Sequence, residues 1–162
     1  MENIEKELEK LICYTLKKGA ITITDVEEIT TKRLENRVFD MISYLSQKKQ
    51  KETLQLYYDL LALREAPMKI LALMARQFNM LLQIKTLKDK GVPQKMVAEK
   101  MKMQPFIVGK YWPQCSLFTK EELKSALTAC VQTDEDVKTG KITDKIGVEL
   151  LLIQSVFLSK RL

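Results

Sequence analysis

Apolar residues recur at intervals of three and four along nearly the whole chain, and this period most tightly constrains what it can fold into. Ile4, Leu8, Leu11, Ile12 and Leu16 open the pattern, with Lys17 and Lys18 in a last turn and Gly19 as the stop. Val38, Met41, Ile42 and Leu45 make a second helix face, and Leu54, Tyr57, Tyr58, Leu60 and Leu61 a third. Breaks are few, because 162 residues hold only five Gly and four Pro. Pro67, Pro93 and Pro105 suit helix starts, while Gly91 and Gly140 suit helix ends. From Ile70 to Ile84 the segment Pro67 to Lys90 is apolar on most sides, as expected of a central helix covered by neighbours. Short helices are expected from Pro93 to about Met101 and from Pro105 to about Cys115. The capping box Thr119-Lys120-Glu121-Glu122 then opens a helix carrying Leu123, Leu127, Cys130, Val131 and Val137 to Gly140. A last helix from about Thr143 is expected to bury Ile146, Leu150, Ile153 and Phe157. Ile21-Thr22-Ile23-Thr24-Asp25-Val26 has strand-like composition. It would have no strand to pair with, however, and its capping boxes Thr22/Asp25 and Thr24/Glu27 predict a short helix instead. The expectation is an all-α chain with well over half its residues helical and a seam near residues 31–36.

Little chemistry is encoded. There is no His, which removes imidazole bases, Ser-His-Asp and Cys-His pairs and most zinc sites. The Gly residues at 19, 91, 109, 140 and 147 form no phosphate loop. Asp134-Glu135-Asp136 reads as solvated surface, since neighbouring positions on a helix point apart. Cys13, Cys115 and Cys130 lack metal or redox spacing and read as small buried hydrophobes in a reducing compartment. Met74, Met80, Met96, Met101 and Met103 read as core filler, with an adaptable groove as the alternative. Tyr111-Trp112 beside Lys110 could stack bases, but Trp112 reads better as a core anchor. No catalytic residue, metal set or cofactor is expected. With no long apolar run and an acidic N-terminus (Glu2, Glu5, Glu7, Glu9), a cytoplasmic protein is expected. The net charge of +6 permits a polyanion partner without requiring one. Lys138, Lys141 and Lys145 gather three cations around the Gly140 turn, where they could cap the helix, touch phosphate, or do both.

Order and wording along the chain resemble a known family. The carrying strings are Glu7-Leu8-Glu9-Lys10-Leu11 with Tyr14, Ile21–Val26, Val38-Phe39-Asp40 and Leu73-Met74-Ala75-Arg76-Gln77-Phe78. They continue with Pro105-Phe106 and Lys110, Phe118-Thr119 with Leu123, and Asp134 with Lys138-Thr139-Gly140. Together they resemble the delta subunit of bacterial DNA polymerase III, part of the clamp loader, from about residue 7 to 153. The resemblance implies the end of a small helical lid over residues 1–32 and a helical collar domain over 33–162. It implies assembly with the gamma/tau and delta-prime subunits to load the sliding clamp during DNA replication, with primer–template DNA nearby and only weakly bound. The family's clamp-gripping N-terminal domain is not represented, so clamp opening is assigned to no residue.

A collar must offer apolar surface to its neighbours as well as bury a core. Leu150 to Ile153 are consecutive, so Leu151 and Leu152, with Val156 and Leu158 further on, are the expected lateral interface. The alternative is a last helix buried on all sides. The alternative function is a free-standing basic helical module that binds nucleic acid or protein by itself.

Overall fold

The structure is a computed structural model that describes residues 23–158, with side chains described from 26 to 154. The expected helix from Ile4, its Gly19 stop and Cys13 lie outside these residues. Seven helices account for most of the described chain: α1 (Ile23–Ser46), α2 (Gln50–Ala62), α3 (Pro67–Asp89), α4 (Gln94–Lys100), α5 (Pro105–Cys115), α6 (Lys120–Lys138) and α7 (Asp144–Leu158). No strand occurs among the described residues, and the fold is all-α, as the periodicity predicts.

Two compact units divide between Val38 and Phe39, inside α1. This helix passes through residues 31–36, where the sequence predicts a seam, without a break. The physical reason is local. No Gly or Pro interrupts it, Thr30 Oγ donates to the Val26 carbonyl at 2.7 Å, and Lys32 pairs with Glu28 one turn back at 3.9 Å. In the second unit α3 is the central element. Its Ile70, Leu71, Met74, Phe78, Leu81 and Ile84 are buried, and α4, α5, α6 and α7 all pack against it. Phe78 meets Phe118 edge to face with ring centroids 6.2 Å apart. α2 packs on α7, where buried Tyr57 donates its hydroxyl to the Lys145 carbonyl at 2.7 Å.

Helix ends follow one recurring device. Gly91 (φ +80°) and Gly140 (φ +78°) both close their helices in Schellman geometry, with Val92 N–H donating to Leu87 and Lys141 N–H to Asp136. α1, α2 and α4 end the same way with Lys48 (φ 60°), Arg64 (φ 63°) and Lys102 (φ 53°) in the left-handed position. A side chain there costs about 1–2 kcal/mol, partly offset by a cation lying at the negative end of the helix dipole. Arg64→Gly is therefore expected to raise stability by roughly 0.5–1 kcal/mol in denaturant titration, once the greater chain entropy of glycine is counted. The Thr119 capping box is complete: Glu122 N–H donates to Thr119 Oγ1 at 3.1 Å and Thr119 N–H to Glu122 Oε2 at 2.9 Å.

Cys115 and Cys130 are buried, as expected of small hydrophobes. Burial pushes the Cys130 thiol from 9.0 up to about 12, and raises the Tyr57 phenol above 10.0 with help from Glu149 and Asp144. Both groups stay protonated in the folded chain where the unfolded chain has already released its protons. Stability therefore falls as pH rises through that window. Thermal midpoints should decline progressively above pH 9, and Cys130→Ala should reduce the decline.

Candidate functional surfaces

The corner between α6 and α7 carries Lys138, Lys141 and Lys145, all exposed. It also brings in the acids that the sequence reading sets apart as plain surface. Lys138 Nζ lies 2.7 Å from Asp134 Oδ2, and Lys141 Nζ 4.0 Å from Asp136 Oδ1. Two of the three cations are thus already matched by nearby carboxylates, which weakens the field this corner presents to a phosphate.

On α7 the expected orientation is reversed. Leu151 is only 2% exposed and Leu152 is buried with it, so neither lies at a lateral surface, whereas Ile146 is 49% and Leu150 42% exposed. Val156 and Leu158 lie outside the residues whose side chains are described. The cause is Gly147. A Cβ there would meet Val137 Cγ2 at 3.1 Å and Thr133 Cγ2 at 3.3 Å, so its bare backbone lets α7 approach α6 closely. With Gly147 against α6, Leu151 one turn on shares the inward face, and Ile146 and Leu150 turn outward. α2 adds a third exposed apolar side chain. Exposed Tyr58 donates its hydroxyl to Glu149, and this bond raises the phenol pKa. Tyr58, Ile146 and Leu150 are thus exposed large apolar side chains on two helices that pack on each other, with the Glu149 carboxylate among them.

Other candidates resolve differently from the sequence expectation. Tyr111 is the core anchor, set edge-on to Phe39 with centroids 5.3 Å apart. Trp112 is only half-buried, with Lys88 Nζ 4.8 Å from its ring centroid. Val131 on α6, expected in the core, is exposed, because Leu123, Ala126 and Cys130 already fill the inward stripe. Met74 is core, but Met96 is exposed. Among the described residues no three His, Cys, Asp or Glu side chains are grouped to hold a metal, and no helix is long and apolar enough to cross a membrane. The outward face of α7 was hidden from sequence reasoning, since a run of four apolar residues looks alike at every rotation. A glycine at 147, just before that run, is the one signal that could have set the rotation.

Residues 35–155 match the family model for the DNA polymerase III delta subunit, C-terminal domain. The chain is similar to DNA polymerase III subunit delta of Bacillus subtilis (strain 168), with 35% identity over 154 residues. That match covers 95% of this chain and 44% of the relative. Among solved structures it is similar to the Bacillus subtilis DNA clamp loader delta protein, with a TM-score of 0.75 and 35% identity. The superposition covers 96% of this chain and 46% of that one. The chain thus spans about half the length of the relatives it matches.

Proposed function

Because the chain belongs to the family defined by the C-terminal domain of the DNA polymerase III delta subunit, we propose that it works as the assembly part of a clamp loader. In this reading residues 33–162 form a helical collar that joins gamma/tau and delta-prime subunits in the cytoplasm, and residues 1–32 end the helical lid. Contact with the sliding clamp falls to the part of the relatives that this chain does not span. The Lys138–Lys145 corner lies near primer–template DNA and adds little affinity, since Asp134 and Asp136 occupy two of its lysines. The chain carries no catalytic step.

The observation that supports assembly most directly is the exposure of Tyr58, Ile146 and Leu150 on the packed pair α2 and α7. Exposed large apolar side chains grouped on one face mark surfaces that a partner covers. A heterologous contact of this kind joins different subunits and does not close within one. Light scattering of the chain mixed with the collar regions of gamma/tau and delta-prime should therefore show a mixed complex, and the chain by itself mainly monomer. Ile146→Asp with Leu150→Asp should abolish the complex while leaving the circular dichroism spectrum unchanged. Separate monomers in the unmutated mixture would refute the assembly role.

A further inference from the structure

The net charge is concentrated in one place. Residues 90–118 contain five lysines (Lys90, Lys95, Lys100, Lys102, Lys110) and a single acid, Glu99, so this stretch carries four of the chain's six net positive charges. It folds as the two short helices α4 and α5, which pack on each other and meet closely where the Gln94 amide faces Gly109. Lys95, Lys100 and Lys102 are exposed, and none of the three makes an ion pair with a described residue. Neither helix has an acidic residue in its first turn. At the bend between them Lys102 is held in the left-handed backbone conformation. Phe106 follows in the first turn of α5, 71% exposed and the most exposed large apolar side chain among the described residues.

We propose that the α4–α5 hairpin is a contact site for single-stranded nucleic acid, in which Lys95, Lys100 and Lys102 neutralise phosphates and Phe106 stacks on a base. Lys100, Lys102 and Phe106 lie within seven residues at the bend between the helices, while Lys95 lies about 7.5 Å from Lys100 along the α4 axis and roughly 140° around it. A backbone-tracking row of cations beside an exposed aromatic ring is the usual construction of sequence-tolerant single-strand sites. The same charge would attract an acidic peptide, but an apolar peptide anchor needs a pocket to be buried in, whereas a base needs only the face of a ring. Phe106 protrudes, which favours the base. The contrast with the Lys138–Lys145 corner is electrostatic: there two lysines pair with carboxylates, and here the one acid, Glu99, makes no ion pair with a described residue against four net positive charges.

The test uses the 162-residue chain alone, so its result and that of the assembly experiment are independent. Fluorescence anisotropy with a labelled oligo(dT) strand of about twenty nucleotides at about 50 mM salt should show binding, with a log–log salt slope of roughly −2 for three neutralised phosphates. The triple change Lys95→Glu, Lys100→Glu, Lys102→Glu should weaken binding about tenfold or more, and Phe106→Ala roughly five- to tenfold. Lys138→Glu with Lys141→Glu should change it by less than about twofold. All substituted positions are exposed, and unchanged circular dichroism spectra would confirm folded variants. Absence of binding at low salt would overturn the proposal, as would wild-type affinity in the triple variant or in Phe106→Ala. Displacement of the strand by polyglutamate at equal charge concentration would also overturn it, in favour of an acidic protein partner.

Discussion

Leu151→Asp is expected to prevent the bundle from folding, whereas Leu150→Asp, one position earlier, should leave it folded. Leu151 is 2% exposed and sits beside buried Val148 and Leu152, so an Asp there would be a buried charge with no partner. Leaving a buried charge without a partner costs about 3–5 kcal/mol, and the lost leucine packing adds about 2–5 kcal/mol. That sum rivals the whole stability of a domain, which is about 5–15 kcal/mol. Leu150 faces solvent, so the same carboxylate stays hydrated and the helix content should be retained. Far-ultraviolet circular dichroism with thermal melting reads the difference directly. Two variants that melt alike would mean that α7 sits in another rotation and that the exposure of Ile146 and Leu150 is misassigned.

Phe78→Ala is the second large effect. Phe78 is buried in the middle of α3, the helix on which α4, α5, α6 and α7 all pack, and its ring meets that of Phe118. Truncating such a side chain leaves a cavity and removes an aromatic pair, at a cost of about 3–5 kcal/mol. At roughly 2–4 °C per kcal/mol for a chain of this size, the thermal midpoint should fall by about 6–20 °C. Phe106→Ala, by contrast, removes a ring that already faces water and should cost less than about 0.5 kcal/mol. Calorimetry on the pair separates an aromatic that holds the fold from one that is free for a ligand. Equal shifts would contradict both the central place of α3 and the exposure of Phe106.

Signals that act within one helical turn were legible from the sequence. The capping box at Thr119, the proline at the start of α3 and the glycine stops at Gly91 and Gly140 all occur where the sequence puts them. Each depends only on backbone geometry over a few residues, so no distant partner can override it. The helix ends at Lys48, Arg64 and Lys102 were not legible as stops, because a charged residue in the left-handed conformation carries no compositional mark. The continuity of α1 belongs with these, since helix-forming residues and side-chain contacts one turn apart carry the helix through residues 31–36, although the two units divide just beyond, at Val38 and Phe39.

The candidate surfaces divide in the same way. That Lys138, Lys141 and Lys145 share a corner follows from a glycine turn between two helices, and the sequence carries it. That Asp134 and Asp136 lie against two of those lysines depends on which way the last turn of α6 faces. The sequence by itself therefore determined the helical class, most helix starts, the central place of α3 and the family resemblance, all of which rest on local spacing and the order of short strings. Only the tertiary structure decided which apolar residues face inward and which outward. Leu150 and Leu151 are chemically the same, and their opposite fates were set by Gly147, whose missing side chain lets α7 close onto Val137 and Thr133.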